Sequence, residues 1–285
     1  MRGRRQEKEV EEFKEMTDAL LLIQHGWQNI WKQKTIWLFS AITIFSQLYN
    51  VIQVKRPTEL LPSLIALAAS LIFIYLFYVS YIGVPYIAYS YLIGKPVTIQ
   101  ETLSAVKKFS GRVIGCSCLG FIALSPLLFW VLAVSINSST HRLEIPDKVI
   151  LALMPLSVFA ALFQFTIVGF FENDWGIRQS LDKAWGLFKS HFGVLAILGL
   201  IFAIIFRVYS VLSGILTVLI QSGFDLTFIG TINLLNPSAS LSSSLLFVVI
   251  NGIGQIIFTP LSASVFISAY LKYNNVKLPI QMRVR

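Results

Sequence analysis

One charged residue lies deep inside a long apolar run: Arg207, in the stretch Phe192 to Gln221. A central arginine costs ~2.5–3.5 kcal/mol on membrane-insertion scales, so something is expected to offset it. No Asp or Glu falls within any apolar run to pair with it. Counted from Phe192, fifteen residues of helix rise ~22 Å, which leaves Arg207 about 8 Å short of the far boundary of a ~30 Å hydrocarbon core. Two chemistries follow. The guanidinium snorkels to lipid phosphates of the outer leaflet, or it faces an aqueous pocket that receives an anionic group. Polar residues at helical spacing sharpen the second reading. Arg207, Ser210, Thr217 and Gln221 share one side of their run, with Gly214 between them. Asn251, Gln255, Thr259 and Ser262 do the same in a later run, and Ser40, Thr43, Gln47 and Asn50 in an earlier one. Unsatisfied polar atoms are costly against lipid, so these stripes predict either hydrogen bonding between helices or a polar cavity shared by the three.

The remaining reactive groups give less. Glu172 and Asp174, two residues apart, have the types needed for acid–base work or cation binding. Carboxylates before a helix more often cap it and favour its positive end, and Asn173 or Asp174 is expected to cap the helix that follows. His25, His141 and His191 are scattered without ligand spacing. Cys116 and Cys118 point to nearly opposite sides of a helix and read as small packing residues. Asn137-Ser-Ser139 matches a glycosylation acceptor. The sequence holds no phosphate loop, nucleophile elbow or dinucleotide fingerprint, so no catalytic set, metal site or cofactor is expected.

Composition fixes the surroundings of these residues. The 285 residues are 55% hydrophobic and 13% charged, with a mean hydropathy of +0.72. A soluble domain carries about 25% charged residues. Apolar runs of twenty or more residues recur, and such runs are bilayer spans rather than one buried core. The net charge of +9 sits at the ends of the runs, which favours anionic lipid headgroups over nucleic acid as the partner.

The expected fold is an all-α integral membrane protein with six transmembrane helices and three cytoplasmic-side amphipathic surface helices. A charged cytoplasmic tail, residues 1–16, lacks the apolar core of a cleavable leader. The membrane domain covers 17–271, and a basic tail covers 272–285. Spans are expected near Ile36–Val54, Leu60–Ile93, Val113–Ile136, Val149–Phe171, Phe192–Gln221 and Leu245–Tyr270. Gly83 and Pro85 are expected to kink the second, and Gly252, Gly254 and Pro260 to loosen the sixth, though small residues also allow close packing. Gly94-Lys95-Pro96 predicts a turn, and Thr98 with Glu101 a capping box.

Surface helices are expected ahead of the first, third and fifth spans. Leu20, Ile23, Trp27, Ile30 and Trp31 form the first apolar stripe. Leu103, Val106, Phe109 and Val113 form the second, with Lys107, Lys108 and Arg112 beside them. Ile177, Leu181, Ala184, Trp185, Phe188 and Phe192 form the third. Lys and Arg crowd both tails and the connections that carry these helices, which puts the two termini and all three surface helices in the cytoplasm of a cell (inner) membrane protein.

A shift of 79 residues carries Gly26 onto Ala105 and Ala184, and Ile30 onto Phe109 and Phe188; two such shifts carry Trp27 onto Trp185. The unit is surface helix, span, span, with copies near 17–93, 94–171 and 172–271. Triplication and independent marking of the cytoplasmic face both produce this spacing; the period favours triplication. The pieces Gly26-Trp27-Gln28-Asn29-Ile30-Trp31-Lys32 and Ala184-Trp185-Gly186-Leu187-Phe188-Lys189 resemble a motif of uncharacterised bacterial and archaeal multi-pass membrane proteins. The membrane domain attached to some glycerophosphodiester phosphodiesterases looks similar. The catalytic domain of those enzymes has no counterpart here, so the resemblance implies a membrane fold and does not imply phosphodiesterase activity.

These features lead to a non-enzymatic scaffold or accessory component, acting through membrane lipids or a protein partner, self-association included. The alternative is a transporter of an anionic or lipid-like solute, with a polar cavity around Arg207 lined by Ser210, Thr217, Gln221, Asn251, Gln255, Thr259, Gln47 and Asn50.

Overall fold

The computed structural model describes the backbone of residues 2–52, 60–138, 161–221 and 245–275, and the side chains of 14–44, 67–122, 125, 161–220 and 246–275. Every described element is helical: α1 (Arg2–Lys32), α2 (Lys34–Ile52), α3 (Leu60–Leu92), α4 (Ile99–Ser138), α5 (residues 161–173), α6 (Ile177–Ser190), α7 (Phe192–Gln221) and α8 (Leu245–Tyr273). Three stretches are long and apolar enough to cross a membrane: Leu67–Leu92, Phe192–Ile220 and Leu246–Tyr273. That is three and not the expected six. Of the first expected span, side chains are described only through Ile44, and the apolar piece Lys34–Ile44 is too short to cross alone. Much of the third and most of the fourth lie outside the described side chains.

Local chemistry sets several boundaries. α3 ends in a Schellman motif: Gly94 has φ 80°, its N–H donates to Tyr91 O (2.8 Å), and Lys95 N–H donates to Ser90 O (2.8 Å). Glycine takes the left-handed conformation without a Cβ clash. At the start of α4 the capping box forms as expected. Thr98 N–H donates to Glu101 Oε2 (2.7 Å), and Glu101 N–H donates to Thr98 Oγ1 (3.3 Å). α8 closes with Asn275 at φ 53°, its N–H on Lys272 O (3.3 Å).

Two expected boundaries are also corrected. Neither Asn173 nor Asp174 caps α6; its N-cap is Gly176, which makes no side-chain cap bond. The second surface helix and the third span are not separate elements. α4 runs 40 residues without interruption, ~60 Å. No proline stands at the junction, and Gly111 and Gly115 keep negative φ, so nothing there stops the helix.

α8 is the pillar of the bundle, packing against α1, α2, α3 and α7. Small residues let its neighbours approach. A Cβ on Gly254 would overlap the Tyr209 ring of α7, and one on Gly252 would lie 3.0 Å from Ile44 of α2. These two glycines serve close packing. The approach is reciprocal at α1, where Gly26 receives Val265. Ile30, Ile36, Phe39, Leu195, Leu198, Ile267 and Tyr270 fill the core between these helices.

Positions related by the 79-residue shift match in part, and the middle copy departs: Val106 is buried where Trp27 and Trp185 are exposed, and α4 has no break at residue 112. Gly26, Ala105 and Ala184 are all buried, as are Ile30, Phe109 and Phe188. Trp27 and Trp185 are exposed to the same degree, 43% and 47%. The single non-helical residues Gln33, between α1 and α2, and His191, between α6 and α7, stand two such shifts apart.

Candidate functional site

Arg207 lies half-buried on α7, and no carboxylate pairs with it among the described residues. The polar stripe around it is largely spent on the helices themselves. Tyr209 donates its hydroxyl to Ile250 O on α8. Buried Ser213 donates to Tyr209 O (2.8 Å), and buried Thr217 donates to Ser213 O (2.7 Å). Ser210 and Asn251 are half-buried and engaged with neighbours. On α8, Ser262 donates to Thr259 O (3.0 Å), while Gln255 and Thr259 are half-buried. On α2, Ser40 reaches across to Ile256 O of α8 (2.8 Å) and Thr43 donates to Ser40 O (2.6 Å). Gln47, Asn50 and Gln221 occupy helical backbone, with side chains outside the described set. The stripes of α2 and α7 are thus each brought to α8, and α2 and α7 make no extended contact with one another among the described residues.

The carboxylates diverge. Glu172 accepts from Tyr270 Oη (2.7 Å) and Asn274 Nδ2 (3.1 Å), which fastens α5 to the end of α8. Asp174, at φ 56°, instead accepts from Lys108 Nζ (3.0 Å) and from Arg112, whose guanidinium also donates to Trp175 O (3.2 Å). Lys108, and then Arg112, hold the Asp174 carboxyl below its ordinary value. Two carboxylates engaged in opposite directions do not form an acid–base pair.

A second cluster joins α1, α7 and α8. Asp18 pairs with Lys272 (3.1 Å). The Glu15 carboxylate lies against Gly193 in the first turn of α7, where the helix dipole favours an anion. His191 stacks on Tyr273 at 3.8 Å and 10° between planes, and burial, followed by the Lys272 charge, lowers its affinity for a proton. Glu15, Tyr270, Asn274 and Lys272 were not singled out by sequence reasoning. Their partners lie far along the chain, and their only sequence signal was polarity at the ends of apolar runs.

The amphipathic stripes divide between protein and surroundings. Ile30, Val106, Phe109, Val113, Ala184 and Phe188 face the bundle, whereas Leu20, Trp27, Trp31, Leu103, Trp185 and Phe192 stay exposed. Trp27 and Trp31 meet edge-on at 5.6 Å, and Lys189 sits 5.1 Å over Trp185. Between α3 and α4 opens a groove of about 670 Å³. Leu71, Ile74 and Tyr75 form one wall, and Gln100, Ser104 and Lys107 stand on the other.

Among the described residues no three His, Cys, Asp or Glu side chains are grouped to hold a metal ion. No protein-family model, curated protein or solved structure matches the chain.

Proposed function

We propose that this chain is a non-enzymatic membrane component, a scaffold or accessory subunit, that works through lipid and protein contacts on the inner leaflet. The observation that carries the reading is the exposed aromatic edge of the amphipathic segments. Trp27, Trp31 and Trp185 remain outside the bundle, with Lys189 against one of the rings. Tryptophan and lysine together suit the headgroup level, where a ring has one apolar face and one wet edge. The full count of six spans, the cytoplasmic placement of both termini and the kinship with uncharacterised multi-pass proteins belong to the same proposal. The 19-residue length of apolar α2 and the 40-residue length of α4 support the count.

Arg207 supports the transporter reading less well. Thr217 of its stripe bonds to its own helix, neighbouring Tyr209 bonds to α8, and Ser40 of the α2 stripe is engaged on α8. Purification from native membranes in mild detergent, with mass analysis of proteins and lipids retained, tests the proposal. A stable partner or a retained anionic lipid is the expected result. A specifically bound small anion, lost in Arg207→Gln, would replace the scaffold with a transporter.

A further inference from the structure

We propose that the groove between α3 and α4 is a binding site for one anionic phospholipid, its phosphate held at Lys107 and an acyl chain laid along Leu71, Ile74 and Tyr75. The inference rests on the lipid-contact reading above, without its inner-leaflet placement, and gives that contact an address. Three observations converge. First, the groove is of the size that takes a partly enclosed ligand: about 670 Å³, open on one side. Second, its walls differ in kind. The α3 wall is aliphatic and aromatic and belongs to a stretch able to cross a membrane, so hydrocarbon is its natural solvent. The α4 wall is mixed: Leu103, Val106 and Ile114 continue the apolar lining, and Gln100, Ser104 and Lys107 add donors to it.

Third, the charges in this turn of α4 are not equivalent. Lys108 and Arg112 are both committed to Asp174. Lys107 faces the groove, no carboxylate pairs with it among the described residues, and the lining residues include none. The nearby acid, Glu101, is held by Thr98 in the capping box. A cation beside hydroxyl and amide donors, in a groove otherwise lined by apolar side chains, complements a phosphate ester with a chain attached. A soluble phosphate would leave the trough empty, and a zwitterionic headgroup would bring its own cation to compete with Lys107.

The test uses the full chain in mild detergent, titrated with phosphatidylglycerol or phosphatidylcholine and read by native mass spectrometry. Wild type is expected to bind phosphatidylglycerol more tightly. Lys107→Gln is expected to weaken that binding about fivefold and leave phosphatidylcholine unchanged, because a lysine near a phosphate layer contributes about 1 kcal/mol. Lys107→Arg should keep the preference, as should Lys183→Gln on α6. Leu71→Trp, which fills the trough, should weaken both lipids. Wild-type preference that survives Lys107→Gln overturns the groove while leaving the lipid reading in place. Retention of neither lipid overturns both. A photocrosslinker at position 104 that captures polypeptide instead of lipid also overturns the groove.

Discussion

Residues on this chain do their work in pairs that bridge helices, and the pairs predict what their loss does. Tyr209 and Gly254 are one. The ring fills the space a Cβ would need, and its hydroxyl is tied to Ile250 O. Gly254→Ala is expected to destabilise the protein by about 1–3 kcal/mol through overpacking, measured by thermal unfolding in detergent. Combined with Tyr209→Leu, the penalty should be less than the sum of the two. Asp174 with Lys108 and Arg112 is another pair of contacts, and its pH sign is definite. The folded carboxyl is held below its ordinary value, so its stabilising effect is present above about pH 3.9 and disappears as pH falls through the folded value. Asp174→Asn should therefore be less stable than wild type at neutral pH, and the two melting curves should converge in acid. The sequence showed Asp174 but not this role. A residue next to a helix start reads as its cap, and only the fold brings Lys108 and Arg112 from 62 or more positions away.

At the scale of elements, legibility follows the range of the interaction that sets each boundary. The turn at Gly94 and the box of Thr98 and Glu101 are closed by bonds within five residues, and both were readable. Thr98→Ala is expected to cost ~1 kcal/mol and to raise amide exchange in the first turn of α4. The stretches in α3, α7 and α8 were readable because hydropathy over twenty residues needs no partner to interpret it. The continuation of the amphipathic segment into the apolar run of α4 as one helix was not. An amphipathic stripe looks the same whether its helix stops or continues. The polar stripes were also visible as stripes, but their targets depended on α8 standing between α2 and α7. Arg207 was legible as an anomaly and stays one: half-buried, and without a carboxylate among the described residues.

For the molecule as a whole, the proposed topology makes a direct prediction. In a background lacking Cys116 and Cys118, Ser190→Cys should react with a membrane-impermeant maleimide only from the cytoplasmic side, and Ser242→Cys only from the opposite side. Labelling of both from one side would remove the six-span arrangement. The central position of α8 carries a consequence for biogenesis. The earliest helices, α1 and α2, rest on a helix more than two hundred positions downstream, through Gly26 with Val265 and Ser40 with Ile256. While the ribosome is still working toward that segment, the faces of α1 and α2 meant for it have only lipid or a chaperone to lean on. Assembly of this protein is thus a vigil kept by its first helices for its last, and a nascent chain halted before residue 245 should be recognised as unfinished by the cell's membrane quality control.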